Sequence, residues 1–98
     1  MSEPILHIAT ETEWAEAQRV GEVHPDSLEL EGFVHCCAEE QLTRTLARHF
    51  AGADHLVVLK IDPSRVGAEL RWEDSDGEDF PHVYGAIPLD AVTGVRPA

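Results

Sequence analysis

Helical patterning in this 98-residue chain is confined to its first half. Segments 11–20 and 38–50 carry apolar residues at helical spacing, whereas the second half consists of short strand-like runs separated by turns. Parallel strands need long crossover connections, usually helices, and the second half offers none. We therefore predict one α+β domain over residues 1–98, with a small split β-sheet, mixed or antiparallel, and two helices in the N-terminal half.

Both predicted helices have features that define their extent. Thr10 and Glu13 have the spacing of a capping box, and Gly21 stands where a left-handed residue would end the first helix. The segment 22–31 contains Pro, Asp and Ser in succession, so we predict a loop between the helices. The second helix is expected to face the core with a stripe spaced by four residues: Leu42, Leu46 and Phe50.

Apolar and β-branched runs between turn residues predict the strands. The run 56–61 is expected to be a buried central strand, and Asp62 and Pro63 end it. The acidic segment 74–77 is expected to form an exposed turn between two strands. The other predicted strands are 5–8, 33–36, 70–73, 80–84 and 92–96, and a helical turn is predicted at 88–91.

Two of the predicted strands combine histidine with aromatic residues. Because side chains alternate between the faces of a strand, Phe33 shares a face with His35. By the same alternation His82 shares a face with Tyr84, and His7 lies in the first apolar run. We therefore predict that the three histidines converge on a polar cleft with an apolar lining, where a small molecule binds.

Each histidine also has a structural interpretation. A buried histidine can be satisfied by a backbone carbonyl alone, without any ligand. A metal site is the third interpretation, but His7, His35 and His82 show no Glu-x-x-His or His-x-His pairing. We expect no metal, and the structural and small-molecule interpretations both stay open at this point.

Cys36 and Cys37 are adjacent in the sequence. A disulfide between neighbouring residues closes a strained ring, so both thiols are predicted to be free. A nucleophilic cysteine beside His35 is the functional alternative, since the start of the second helix could lower its pKa. Adjacent strand residues point to opposite faces, so Cys36 should face away from His35, and we favour a packing role for the pair.

Arg71 and Glu73 share one face of a predicted strand. An acid at this position could activate a ribose hydroxyl or stabilise a developing cation. An ion pair on an edge strand is the commoner explanation of such spacing. We place Arg71 among the candidate ligand-binding residues of the cleft.

The net charge of −12 restricts the partners. Nucleic acid is disfavoured, because its backbone is bound through clustered Lys and Arg. An anionic ligand would need a few well-placed arginines, histidines or backbone amides to overcome the unfavourable field. The chain has no apolar stretch of membrane-spanning length and no signal-peptide pattern, so we expect no membrane association and a cytoplasmic location.

Five segments spread over nearly the whole chain form a specific set of motifs. They are Leu-His-Ile-Ala at 6–9, Gly-Phe-Val-His-Cys at 32–36, Arg-Trp-Glu at 71–73, Phe-Pro-His-Val-Tyr-Gly at 80–85 and Pro-Leu-Asp-Ala-Val at 88–92. This set resembles the bacterial domain of unknown function 952 family. The resemblance implies an ADP-ribosyltransferase-like fold, with a cleft that binds nicotinamide adenine dinucleotide (NAD) in the active members.

The resemblance also implies roles for the cleft residues. His7 would hold ribose hydroxyls, and Phe33 or Tyr84 would stack on a base. His35 or His82 would act as acid, base or phosphate contact, which makes these two the catalytic candidates. The late strand carries His82 and Tyr84 where active members have a Gln-x-Glu motif. The expected function is a transferase that binds NAD or a related nucleotide or, alternatively, a non-catalytic binding or regulatory domain that retains the cleft.

Overall fold

The computed structural model describes residues 3–98. Its strands are β1 (Ile5–Thr10), β2 (Glu22–Val23), β3 (Val34–His35), β4 (Leu56–Ile61), β5 (Leu70–Ser75), β6 (Glu78–Val83), β7 (Ile87–Pro88) and β8 (Val92–Pro97). Its α-helices are α1 (Glu11–Val20), α2 (Asp26–Glu31) and α3 (Leu42–His49). Short 3₁₀ turns lie at Glu39–Gln41, Pro63–Arg65 and Leu89–Ala91. All the α-helices of residues 3–98 therefore precede β4, as the sequence predicts.

Within residues 3–98 the strands form three sheets, and every pairing is antiparallel. We call β1-β4-β8 the core sheet and β3-β6-β5 the histidine sheet; β2 and β7 form a short third pair. Leu6 and Cys37 join the first two sheets, since the N–H of each donates to the carbonyl of the other at 2.7 and 2.8 Å. The α+β class and the split sheet are confirmed, with antiparallel rather than mixed pairing.

Helix α1 begins and ends as predicted. The Thr10 hydroxyl accepts a hydrogen bond from the Glu13 N–H at 3.0 Å, and the Glu13 carboxylate accepts one from the Thr10 N–H at 2.8 Å. Gly21 ends the helix with φ of 96°, a conformation that costs glycine little and other residues more. Ala17 is buried, and Trp14 packs against the main core.

The segment between α1 and β3 is not the predicted loop. Asp26–Glu31 forms α2, a third helix in the N-terminal half, and Glu22–Val23 pairs with β7. Pro25 caps α2 in an extended conformation, and Gly32 ends it with φ of 90°. The prediction of two helices is therefore wrong, because α2 buries no residue and so shows no apolar stripe in the sequence.

Helix α3 begins later than predicted, at Leu42, because Glu39–Gln41 forms a 3₁₀ turn. The Gln41 side chain holds this turn by accepting a hydrogen bond from the Ala38 N–H at 2.8 Å. The predicted stripe of Leu42, Leu46 and Phe50 is only half-buried. Leu42 packs against a small cluster of Leu6, Cys37 and Val58, whereas Phe50 lines an open cavity.

The main core is built around β4, which lies between β1 and β8 as a central strand. Leu59 and Ile61 on β4 are fully buried, as are Val34 on β3 and Val83 on β6. These residues belong to one apolar cluster that also takes side chains from β1, α1 and β7. The predicted central strand 56–61 is confirmed.

The β5–β6 hairpin determines which residues surround His82. Its turn consists of Asp76 and Gly77, both with positive φ, at 56° and 89°. Both strands reach further towards this turn than predicted. The resulting register sets Arg71 opposite His82, and alternation places Glu73 on the same face.

Candidate functional site

Three strands bring His7, His35 and His82 to one cavity. The pairing of β3 with β6 sets His35 opposite His82, and the Leu6–Cys37 pair lays β1 alongside the end of β3. The cavity has a volume of about 380 Å³, and we call it the histidine cavity. Its lining residues are Leu6, His7, Ile8, Glu13, Pro25, Asp26, Ser27, His35, Cys36, Cys37, Thr45, His49, Phe50, Ser75, Phe80 and His82. The predicted convergence of the three histidines is confirmed, whereas their roles stay predictions.

His7 is buried, and its ring is held in one orientation. Its Nδ1 lies 2.7 Å from the carbonyl oxygen of His35. A carbonyl oxygen can only accept a hydrogen bond, so Nδ1 carries the proton and Nε2 keeps the lone pair. Burial lowers the pKa of His7 below its usual value, because desolvation disfavours the charged imidazolium.

His82 is buried in the histidine sheet and is held by Glu73. Its Nδ1 lies 2.8 Å from Glu73 Oε1, which also accepts a hydrogen bond from the Tyr84 hydroxyl at 2.5 Å. The bonds from Tyr84 and His82 hold the pKa of Glu73 below its usual value, so Glu73 is ionised and Nδ1 donates. His82 Nε2 is a buried nitrogen with no hydrogen-bond partner within residues 3–98.

Aromatic and cationic side chains form a layer beside His82. Phe33 stacks on the His82 ring with centroids 4.1 Å apart and an interplanar angle of 20°. Phe33 also lies 5.4 Å from the Tyr84 ring, and the Arg71 guanidinium lies 4.6 Å from that ring's centre. Phe33, Tyr84 and Arg71 are not among the lining residues of the histidine cavity. One face of Phe33 is thus occupied by His82, which departs from the expected stacking of Phe33 on a ligand base.

His35 lies at the rim of the cavity, with about half of its side chain exposed. Its Nε2 is 2.7 Å from Glu31 Oε1, so this nitrogen donates to the carboxylate. Its ring centroid is 5.4 Å from that of His82. His35 therefore connects the buried histidine to the solvent side of the site.

Apart from its histidines, the ionisable side chains with a permanent charge that line the histidine cavity are acidic. Within residues 3–98 the lining includes the carboxylates of Glu13 and Asp26 and no lysine or arginine. A neighbouring cavity of about 300 Å³ shares both of these acids and His7, and it adds Glu16 and Glu22. The local field therefore disfavours an anion inside and favours a neutral or cationic group.

The two cysteines are free and buried, as predicted. Burial raises the pKa of the Cys36 thiol far above its usual value and that of Cys37 to about 11. A catalytic cysteine needs the opposite shift, because the thiolate is the nucleophile. The packing role that we favoured from the sequence fits these environments, and a nucleophilic role does not.

No group of three or more His, Cys, Asp or Glu side chains in the described part of the chain could hold a metal ion. In the same residues, none of the helices has the length and apolar character needed to cross a membrane.

Glu73 is the important residue of this site that the sequence analysis misassigned. We expected an ion pair between Arg71 and Glu73, but Arg71 Nε lies 2.9 Å from Glu69, while Glu73 holds His82 and Tyr84. The sequence did place Glu73 on the same strand face as Arg71. Its partner depends on the register of the hairpin, which is set by a turn that sequence patterning located only approximately.

Comparison with known proteins identifies the family. Residues 8–95 match the model of the family described as Protein of unknown function (DUF952). The crystal structure of protein CC0527 from Caulobacter crescentus is similar with a TM-score of 0.87 and 32% identity, over 96% of this chain and 84% of that chain. The solution NMR structure of CC0527 is similar with a TM-score of 0.82, over 96% of this chain and 83% of that one. No curated protein matches the chain significantly. The fold, the motifs and this match agree, and the chain belongs to the Protein of unknown function (DUF952) family.

Proposed function

We propose that the histidine cavity binds a nucleotide, with NAD as the first ligand to test, and that the protein transfers the ADP-ribosyl group of this ligand. The observation that carries the proposal is the position of His7, His35 and His82 around one open cavity. Ligand sites are typically apolar concavities with a few convergent polar groups, which describes this cavity. The reaction class comes from the resemblance to ADP-ribosyltransferase-like proteins, and fold alone does not fix an activity.

The size and charge of the cavity suggest how such a ligand would lie. Its volume of about 380 Å³ is close to the lower limit of the roughly 300–1,000 Å³ of ligand pockets. Such a space suits a ring and its sugar, so we place the nicotinamide riboside half of NAD inside and the phosphates outside. The acidic lining supports this orientation, because the oxidised nicotinamide ring is cationic and the phosphates are anionic.

The proposed reaction is a displacement at the anomeric carbon of the ribose. An acceptor hydroxyl oxygen forms a bond to this carbon, the bond to the nicotinamide nitrogen breaks, and nicotinamide leaves as a neutral molecule with the bonding electrons. The hydroxyl proton passes to His82 Nε2, whose lone pair has no partner within residues 3–98. His35 at the rim relays the proton to solvent, and His7 accepts a hydrogen bond from a ribose hydroxyl.

Calorimetric titration with NAD, followed by measurement of nicotinamide release, tests this proposal. We expect saturable binding that is lost in His82→Ala and weakened in His35→Ala. The control is His55→Asn, because His55 is three-quarters exposed, lies outside both cavities and has a positive φ that asparagine tolerates. Absence of NAD binding to the folded wild-type protein would refute the proposal.

A non-catalytic binding or regulatory domain is the second candidate. It is favoured by the position of Glu73, which lies behind His82 and outside the cavity lining, so that no carboxylate of β5 or β6 in the described chain faces the ligand. Binding of NAD without nicotinamide release, at protein concentrations that saturate the ligand, would identify this alternative.

A further inference from the structure

The two buried histidines of the histidine cavity offer acceptors to a ligand. His7 uses its Nδ1–H on the His35 carbonyl at 2.7 Å, which leaves the Nε2 lone pair. His82 uses its Nδ1–H on Glu73 at 2.8 Å, and its Nε2 is buried without a hydrogen-bond partner in residues 3–98. An imidazole whose proton is committed to the protein in this way can only accept a hydrogen bond from a ligand.

Two hydroxyl groups of the lining, those of Ser27 and Thr45, are committed in the same way. Ser27 donates to the backbone carbonyl of Phe33 at 2.9 Å, and Thr45 donates to that of Gln41 at 2.9 Å. The Ser27 oxygen therefore keeps its acceptor lone pairs, whereas Thr45 also bonds to the Cys37 thiol. The carboxylates of Glu13 and Asp26 add further acceptors, and no lysine or arginine occurs among the described lining residues.

We infer that the histidine cavity is specific for hydrogen-bond donors: it takes the hydroxyl or N–H groups of an uncharged or cationic ligand and excludes carboxylate and phosphate groups. This inference rests on the proposed binding function and narrows its ligand class. A donor placed at His82 Nε2 satisfies a buried polar atom that is otherwise unpaired. An anion at the same place would meet lone pairs and carboxylates.

Glu73 is the positioning residue for this specificity. Its carboxylate fixes the proton of His82 on Nδ1, and the Tyr84 hydroxyl bonds to the same carboxylate oxygen. Phe33 stacks on the imidazole and restricts rotation of the ring. The opposite tautomer would place the proton on Nε2 and would make this part of the wall a donor.

Histidine tautomers measured by NMR of ¹⁵N-labelled protein test the first half of the inference. Above the titration range of histidine, at about pH 8, we expect His7 and His82 to be protonated on Nδ1 and unprotonated on Nε2. Glu73→Leu removes the acceptor and should give His82 a mixture of tautomers. Glu73→Gln keeps an acceptor oxygen and should restore the single tautomer, and Trp72→Leu, at a half-exposed position of the same strand, is the control that leaves it unchanged. Protonation of either wild-type Nε2 overturns the inference.

Nicotinamide and nicotinate test whether the cavity prefers a hydrogen-bond donor to an anion. The two molecules share a ring, but nicotinamide carries an amide, which donates, where nicotinate carries a carboxylate. We expect nicotinamide at millimolar concentration to shift the His7 and His82 signals, with binding at least tenfold tighter than that of nicotinate. Glu73→Leu should weaken nicotinamide binding about tenfold, and Glu73→Gln should not. Equal or tighter binding of nicotinate, or no response to nicotinamide, overturns the inference. A positive nicotinamide result without NAD binding would refute the proposed function alone.

Discussion

The core sheet and the histidine sheet are both antiparallel and three-stranded, yet they use their strands differently. In the core sheet, Leu59 and Ile61 are fully buried in an apolar cluster. In the histidine sheet, one face carries His82, Glu73 and Tyr84 in a hydrogen-bonded layer. Apolar burial is non-directional and stabilises the fold, whereas hydrogen bonds orient individual atoms. Substitutions in the apolar cluster of the core sheet should therefore change stability, and those on the histidine-bearing face of the second sheet should change binding.

Leu59→Ala should have the largest effect on stability. Leu59 is fully buried at the centre of the core sheet, and the loss of such a side chain costs about 2–5 kcal/mol of unfolding free energy. Urea unfolding followed by circular dichroism measures the change. A loss below about 1 kcal/mol would mean that the core sheet is no more important for stability than the histidine sheet.

Phe33→Leu should have a smaller effect on stability and a visible effect on the site. It removes the stacked contact with His82, and such ring pairs are worth about 0.5–1.5 kcal/mol beyond their burial. The same unfolding experiment measures this loss, and NMR shows whether the His82 ring signals broaden. Trp72→Leu is the control on β5, because Trp72 is half-exposed and should change stability by about 0.5 kcal/mol or less. A larger loss for Phe33→Leu than for Leu59→Ala would reverse the comparison.

The pH dependence of stability tests the environment of His7, which lies between the two sheets. His7 belongs to the core sheet but lines the cavity, and burial lowers its pKa below the unfolded value of 6.5. The unfolded chain therefore binds a proton that the folded chain does not, so His7 destabilises the fold as the pH falls below 6.5 towards the lowered pKa. The hydrogen bond to the His35 carbonyl and the nearby Glu13 carboxylate oppose this lowering of the pKa, and the His35 side chain reinforces it slightly.

The measurement compares wild type with His7→Gln, which does not titrate and keeps a donor for the His35 carbonyl. We expect wild type to lose more unfolding free energy than the variant between pH 7 and pH 5, in a window that lies above the titration of the carboxylates. Equal losses in the two proteins would show that His7 is as accessible to protons when folded as when unfolded.

The last prediction has no effect on stability, because it compares thiol-labelling rates of the native and the denatured wild-type protein. The pKa of Cys37 is about 11, so at pH 8 only about one molecule in a thousand carries its thiolate. Cys36 is shifted further in the same direction. We expect the native protein to react at least a hundredfold more slowly than the urea-denatured one, which should show two free thiols. Rapid labelling of the native protein would contradict the burial of Cys36 and Cys37 between the two sheets.

Local sequence patterns predicted those helices and strands whose own residues contain a capping motif or an apolar run. The capping box of Thr10 and Glu13 located α1, and the apolar run of β4 located the centre of the core sheet. Helix α2 was missed because none of its six residues is fully buried and its signals, Pro25 and Gly32, also occur in loops. The stripe on α3 was recognised, but its burial depends on the cavity next to it, which no local pattern reveals.

For the candidate site too, some features could be predicted from local sequence patterns and others depended on the fold. Alternation along single strands, together with the family resemblance, predicted correctly that His7, His35 and His82 would meet at one cavity, although His7 lies on a different sheet from the other two. The partner of Glu73 could not be predicted, because it depends on the register between β5 and β6 and thus on the positions of Asp76 and Gly77 in the turn. Single-strand properties were readable from the sequence, whereas cross-strand neighbours required the fold.

The paired hydrogen bonds between Leu6 and Cys37 have a consequence for the motion of the cavity. Leu6 directly precedes His7 and Cys37 lies two residues after His35, so their two bonds, at 2.7 and 2.8 Å, tie the walls of the cavity together. Separation of the two sheets at this point must break both bonds, and it would release both amides to solvent. The rate of amide hydrogen exchange at Leu6 and Cys37 therefore reports how often the cavity opens. A ligand that contacts both walls must slow this exchange.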